Sequence, residues 1–121
     1  MSSIPRLAVG LAAFVAFASG ALGHAFLDHA APAVGSTVRT APAVVKIWFT
    51  QALEPAFSSI KVVDAKGKVI ASSNKAVDAL DRTLLSLPVP PLSPGTYRVV
   101  WRVISVDTHV SEGDFTFEIA P

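Results

Sequence analysis

Two stretches near the C-terminus alternate apolar and polar residues with a period of two. Tyr97, Val99, Trp101 and Val103 are set against Thr96, Arg98, Val100 and Arg102, and Phe115, Phe117 and Ile119 against Asp114, Thr116 and Glu118. Side chains two apart leave the same face of a strand, so each stretch reads as a strand with one buried face. A helix would need its apolar residues three and four apart, and no segment after the N-terminal 23 residues shows that spacing convincingly.

The same pattern recurs upstream. Ala43 to Thr50 points Val45, Ile47 and Phe49 one way and Val44, Lys46, Trp48 and Thr50 the other. Ser58 to Asp64 turns Ile60 and Val62 inward, and Asp64-Ala65-Lys66-Gly67 reads as a hairpin turn into a strand over 68–72. Residues 73–81 are polar and aperiodic and are expected to form a loop. A strand over 82–87 should end at the Pro88, Pro90 and Pro91 cluster, because proline cannot donate to a ladder. Leu92-Ser93-Pro94-Gly95-Thr96-Tyr97 has the form of a corner that buries a tyrosine where a strand begins in immunoglobulin-like domains. About seven short strands separated by turns predict an all-β, immunoglobulin-like sandwich or Greek-key barrel. The connection between the last two strands is expected to run from about Ser105 to Gly113.

The N-terminus reads differently. Met1 to Arg6 carries one positive charge, Leu7 to Ala18 is apolar, and Ala21-Leu22-Gly23 places small residues where a signal peptidase reads them. A membrane anchor would need ~20 apolar residues, and this run is interrupted by Gly10, Ser19 and Gly20. The expectation is a cleaved signal peptide over 1–23 and an exported domain over 24–121, with no membrane span after cleavage. Residues 24–121 hold nine Lys or Arg against nine Asp or Glu, since Arg6 leaves with the leader. Balanced charge without a basic block gives no footprint for nucleic acid. Cysteine is absent and the single methionine is Met1, so the exported domain offers no sulfur ligand.

Its nitrogen and oxygen donors are better placed. Cleavage after Gly23 would free an α-amine beside the His24 imidazole, so that two nitrogens of one residue could close a chelate ring. Asp107 and His109 are two apart, and on an extended segment would leave the same face with Cα atoms ~6.6 Å apart. Amine and imidazole from His24, imidazole from His109 and an oxygen from Asp107 form a set of three nitrogens and one oxygen. That set suits tetragonal Cu(II), which also tops the divalent affinity order. His29 would lie on the opposite face from His24 and is expected to be solvated or locally hydrogen-bonded. Asp28 shares the His24 face, either as a second acceptor for a ligand N–H or as an ordinary surface carboxylate.

With those residues in view, the chain resembles the CopC family of periplasmic copper-resistance proteins. The pieces that carry the similarity are His24-Ala25-Phe26-Leu27, Pro32-Ala33-Val34-Gly35-Ser36, Ile47-Trp48-Phe49-Thr50-Gln51 with Leu53-Glu54-Pro55, and Leu92 to Tyr97. The most specific is Trp101-Arg102-Val103-Ile104-Ser105-Val106-Asp107-Thr108-His109, followed by Gly113 and Phe115-Thr116-Phe117. The resemblance implies a cupredoxin-like or immunoglobulin-like β-sandwich that holds Cu(II) at one end through His24, Asp107 and His109. It also implies a periplasmic location and a separate CopD-type inner-membrane copper permease as partner. Some members hold Cu(I) through a methionine-rich segment, and here that second site is expected to be missing. Phe26 stands where some relatives have a further histidine.

One Cu(II) per mature, monomeric chain is therefore expected, for sequestration, delivery or resistance rather than turnover. Two other readings remain open at this stage. A small copper monooxygenase could use the same N-terminal histidine, although short connections leave little substrate-binding face. A metal-free adhesion or structural sandwich would follow from fold alone.

Overall fold

A computed structural model describes residues 24–121; the proposed leader over 1–23 lies outside the described residues. Nine strands form two sheets: β1 (Leu27–Ala31), β2 (Thr37–Val38), β3 (Val44–Phe49), β4 (Ser59–Val63), β5 (Val69–Ala71), β6 (Ala76–Val77), β7 (Leu84–Pro88), β8 (Gly95–Ile104) and β9 (Val110–Ile119). One sheet has the order β1-β3-β7-β6 and the other β2-β9-β8-β4-β5. The chain changes sheet between β1 and β2, β2 and β3, β3 and β4, β5 and β6, and β7 and β8, so most paired strands are not consecutive in sequence. The all-β sandwich expected from the periodicity is the observed architecture.

Alternation predicts the buried faces residue by residue. Val45, Ile47 and Phe49 from β3 and Leu85 and Leu87 from β7 meet Ile60 and Val62 from β4 and Tyr97, Val99, Trp101 and Val103 from β8. Phe115, Phe117 and Ile119 from β9 complete that core. Fully burying one such side chain contributes ~1.5–3 kcal/mol, so the core is what holds a domain without disulfides together. Tyr97 closes the corner anticipated for it: its hydroxyl donates to the Ser93 carbonyl at 2.7 Å. Asp64 builds the β4–β5 hairpin, its Oδ1 accepting the Lys66 and Lys68 amides at 2.9 Å each. These two bonds are also why its carboxyl sits below the usual aspartate range, the Lys68 amide being the larger cause.

Three expectations need correction. Residues 73–81 are not all loop, because Ala76 and Val77 pair with Ser86 and Leu85 of β7. Two residues of ladder are too few to leave a period in the sequence. Pro88 is the last residue of β7, opposite Val44, and not outside it; at a strand end its missing N–H costs little. The largest difference lies at β9, which begins at Val110 and not at Asp114, so the β8–β9 connection is the short segment 105–109.

Gly113 explains why the start of β9 was concealed. Glycine inside an alternating run reads as a breaker, yet Gly113 lies directly across from Trp101 in the ladder. A Cβ at that position would stand 2.5 Å from Cζ2 of the indole. The residue is glycine because the Trp101 ring occupies the space. The ring itself meets Phe49 edge-on with centroids 5.0 Å apart. Gly113→Ala should force the indole out of this packing and cost ~1–3 kcal/mol, the usual range for overpacking. Urea unfolding of the variant checks it, with an unchanged midpoint counting against the packing role.

Candidate metal centre

The N-terminal segment reaches one end of the sandwich because two contacts pin it there. Ala25 is fully buried and inserts into the core. Phe26 is tied to Thr50 at the end of β3 by two bonds, its amide donating to Thr50 Oγ1 at 3.0 Å and its carbonyl accepting the Thr50 amide at 2.9 Å. His24 therefore sits just outside the core, half-buried, with its ring 5.9 Å from that of Phe26.

Residues 105–109 form the other wall. The segment is not extended as the sequence spacing suggested, since Thr108 has a φ of +72°. A β-branched residue rarely adopts that conformation, and two groups hold it there. The Thr108 amide donates to the Ser105 carbonyl at 2.8 Å, and its hydroxyl donates to the carbonyl of Asp107. The Ser105 amide closes the turn onto the His109 carbonyl at 3.0 Å. The preceding crossover then fastens the whole turn to the sandwich: the Val106 amide donates to the Ala52 carbonyl at 3.0 Å, and Glu54 donates to the Ile104 carbonyl at 2.8 Å. Leu53, fully buried, bridges to Ser105 between them.

This tight turn still brings Asp107 and His109 together, with Oδ1 and Nδ1 3.6 Å apart. Across the end of the sandwich, the His109 ring lies 4.7 Å from the ring of His24. All three residues singled out in the sequence thus occupy one place, linked in series from His24 to His109 to Asp107. Among the described residues no group of three His, Asp or Glu side chains is drawn up as a closed metal cage. Asp107 is turned onto Ser105, whose hydroxyl donates to its Oδ1 at 2.6 Å. That hydrogen bond is the main reason the Asp107 carboxyl lies below its ordinary range; partial burial opposes it, and the nearby His109 adds to it. The carboxylate is therefore ionised at neutral pH. Two adjoining imidazoles beside an ionised carboxylate, with no sulfur, fit a divalent ion that prefers nitrogen and oxygen.

His29 is not part of this group. Its Nδ1 meets Asp28 Oδ2 at 2.6 Å, and its ring stacks on Trp48 with centroids 4.4 Å apart and planes within 8°. Asp28 is accordingly the partner of His29 and not of His24. Ser105 belongs to the stretch that carries the resemblance, but residue type and spacing give it no role of its own, because its burial and its bonds depend on the turn that follows.

Known proteins share this sequence and fold. Residues 27–120 match the family model described as the CopC domain. The copper resistance protein C of Xanthomonas campestris pv. juglandis is 36% identical, over 97% of this chain and 95% of that protein. Protein YobA of Escherichia coli K12 is 35% identical over 79% of this chain and 78% of its own length. The crystal structure of CopC from Methylosinus trichosporium OB3b superimposes with a TM-score of 0.77 at 37% identity, covering 81% of this chain and 95% of that one. The chain belongs to the CopC domain family, among homologues of copper resistance protein C.

Proposed function

We propose that this protein binds copper in the periplasm and holds one Cu(II) per mature chain through His24, Asp107 and His109. The observation that carries the reading is the 4.7 Å approach of the His24 and His109 rings, which pairs the first residue after the expected cleavage site with a turn at the far end of the chain. Family membership supports copper as the ion. The donor chemistry supports its oxidised form, because Met1 is the one methionine in the sequence and no cysteine is present.

In the mature protein His24 supplies its α-amine and imidazole, His109 its imidazole and Asp107 an oxygen. The amine joins the set once Gly23 is removed. Ligands must be deprotonated to bind, and the Asp107 carboxylate already is. A set of four donors favours retention of the ion, whereas catalytic metals keep a position open. The role is sequestration or delivery of copper, with a CopD-type permease as the receiving partner.

Equilibrium dialysis of protein beginning at His24 against Cu(II), followed by electron paramagnetic resonance, tests the assignment. One equivalent of copper with hyperfine structure from nitrogen donors is expected. An absence of bound copper would leave a metal-free sandwich as the better description.

A further inference from the structure

We infer that Ser105 is a positioning residue for the metal centre, fixing the Asp107 carboxylate and the His109 backbone through one buried hydroxyl. The inference rests on the copper-binding reading and extends it to a side chain that is not itself a ligand.

Ser105 is fully buried, one of two buried polar side-chain residues among those described. Buried hydroxyls are retained where they are satisfied, and this one faces the turn. Its Oγ donates to Asp107 Oδ1 at 2.6 Å and accepts the His109 amide at 3.3 Å. A hydroxyl has one proton, and the short contact to an ionised oxygen is the one that claims it. The His109 carbonyl, 3.4 Å from the same Oγ, is already served by the Ser105 amide at 3.0 Å. One atom thus touches both residues of the turn that face the ion. The same Oδ1 is the oxygen that faces His109 Nδ1, at 3.6 Å, so the Ser105 bond fixes the carboxylate against the histidine. Asp107 is exposed, and of its contacts the bond to Ser105 is the short one that ties its side chain to a buried residue.

Ser105 is a better anchor than a surface residue would be. It lies where β8 ends, bridged to the fully buried Leu53. The hydroxyl is therefore fixed to the core, and what it holds is fixed with it. Groups that orient ligands typically change metal affinity 10- to 100-fold when removed.

Ser105→Ala removes the hydroxyl and keeps the backbone bonds of the turn. Two measurements on protein beginning at His24 test the role. Without metal, the three-bond couplings that report Asp107 χ1 should show one rotamer in the parent and averaging in Ser105→Ala. With Cu(II), competitive titration should show about a tenfold weaker complex for Ser105→Ala. The same substitution in an Asp107→Ala background should add less than about threefold, because its main target is gone. Equal copper affinity of parent and Ser105→Ala would overturn the inference, as would an undiminished loss in the Asp107→Ala background, which marks a general loosening of the turn. Should Ser105→Ala fold poorly, the parent's Asp107 couplings still decide: an averaged rotamer there overturns the role. A parent protein that binds no copper defeats the functional reading itself, a result distinct from parent binding with an indifferent Ser105→Ala.

Discussion

Protein that retains Gly23 ahead of His24 should bind Cu(II) on the order of 100-fold more weakly than protein that begins at His24, since a direct ligand outranks the surrounding groups whose loss costs roughly 10- to 100-fold. The extra residue turns an amine into an amide, which removes a donor and breaks the chelate ring formed with the His24 imidazole. Nothing else at the site needs to change. Ala25 remains in the core and Phe26 remains tied to Thr50, so the imidazole is still presented beside His109. Competitive copper titration of the two forms measures the difference, and paramagnetic resonance should show one nitrogen fewer in the extended form. Equal affinities and matching spectra would mean that the amine is not a ligand.

The second large effect is expected from His109→Ala, again on the order of 100-fold in Cu(II) affinity from the loss of a ligand. His109 is exposed, and its backbone bonds to Ser105 survive truncation of the ring. Metal-free stability should therefore move by no more than ~0.5 kcal/mol, as for other surface substitutions. The contrast between the two numbers separates a ligand from a structural residue. His29→Ala gives the control, because His29 is held away on Trp48 with Asp28 and should leave copper affinity unchanged. A large loss of copper in His29→Ala would show that the ligand set has been drawn wrongly.

Those two predictions depend on residues that were visible in the sequence, and the reasons for that visibility are physical. Val45-Ile47-Phe49 and Tyr97-Val99-Trp101-Val103 stand out because a sheet buried on one face imposes a period of two. His24 stands out through its position after a leader pattern, which no folding argument is needed to see. Strands β1, β2 and β6 were not legible. They are edge strands of two to five residues, and partners supplied by β3, β9 and β7 define them more than their own composition does. The beginning of β9 was hidden by Gly113, whose purpose is to make room for Trp101 on the neighbouring strand.

The metal centre shows the same division. Spacing suggested that Asp107 and His109 could reach one ion, and their side chains do meet, but for a different reason. An extended segment would have separated them by the strand rise, whereas a turn with Thr108 at positive φ brings them to 3.6 Å. Such a conformation is rarely expected of threonine and follows from the hydrogen bonds to Ser105 and Asp107 around it. Ser105 itself is a long-range feature, because its burial depends on Leu53 arriving from another part of the chain. Residue types named the ligands; packing determines how they are held.

Processing at one peptide bond is proposed to complete a copper site beside the paired Asp107 and His109. Intact mass of the exported protein under native and denaturing conditions, with and without Cu(II), tests it most directly. A denatured mass beginning at His24 and a native mass greater by a single copper ion are expected. A mature chain that starts at any other residue, or that begins at His24 and gains no copper, would contradict it.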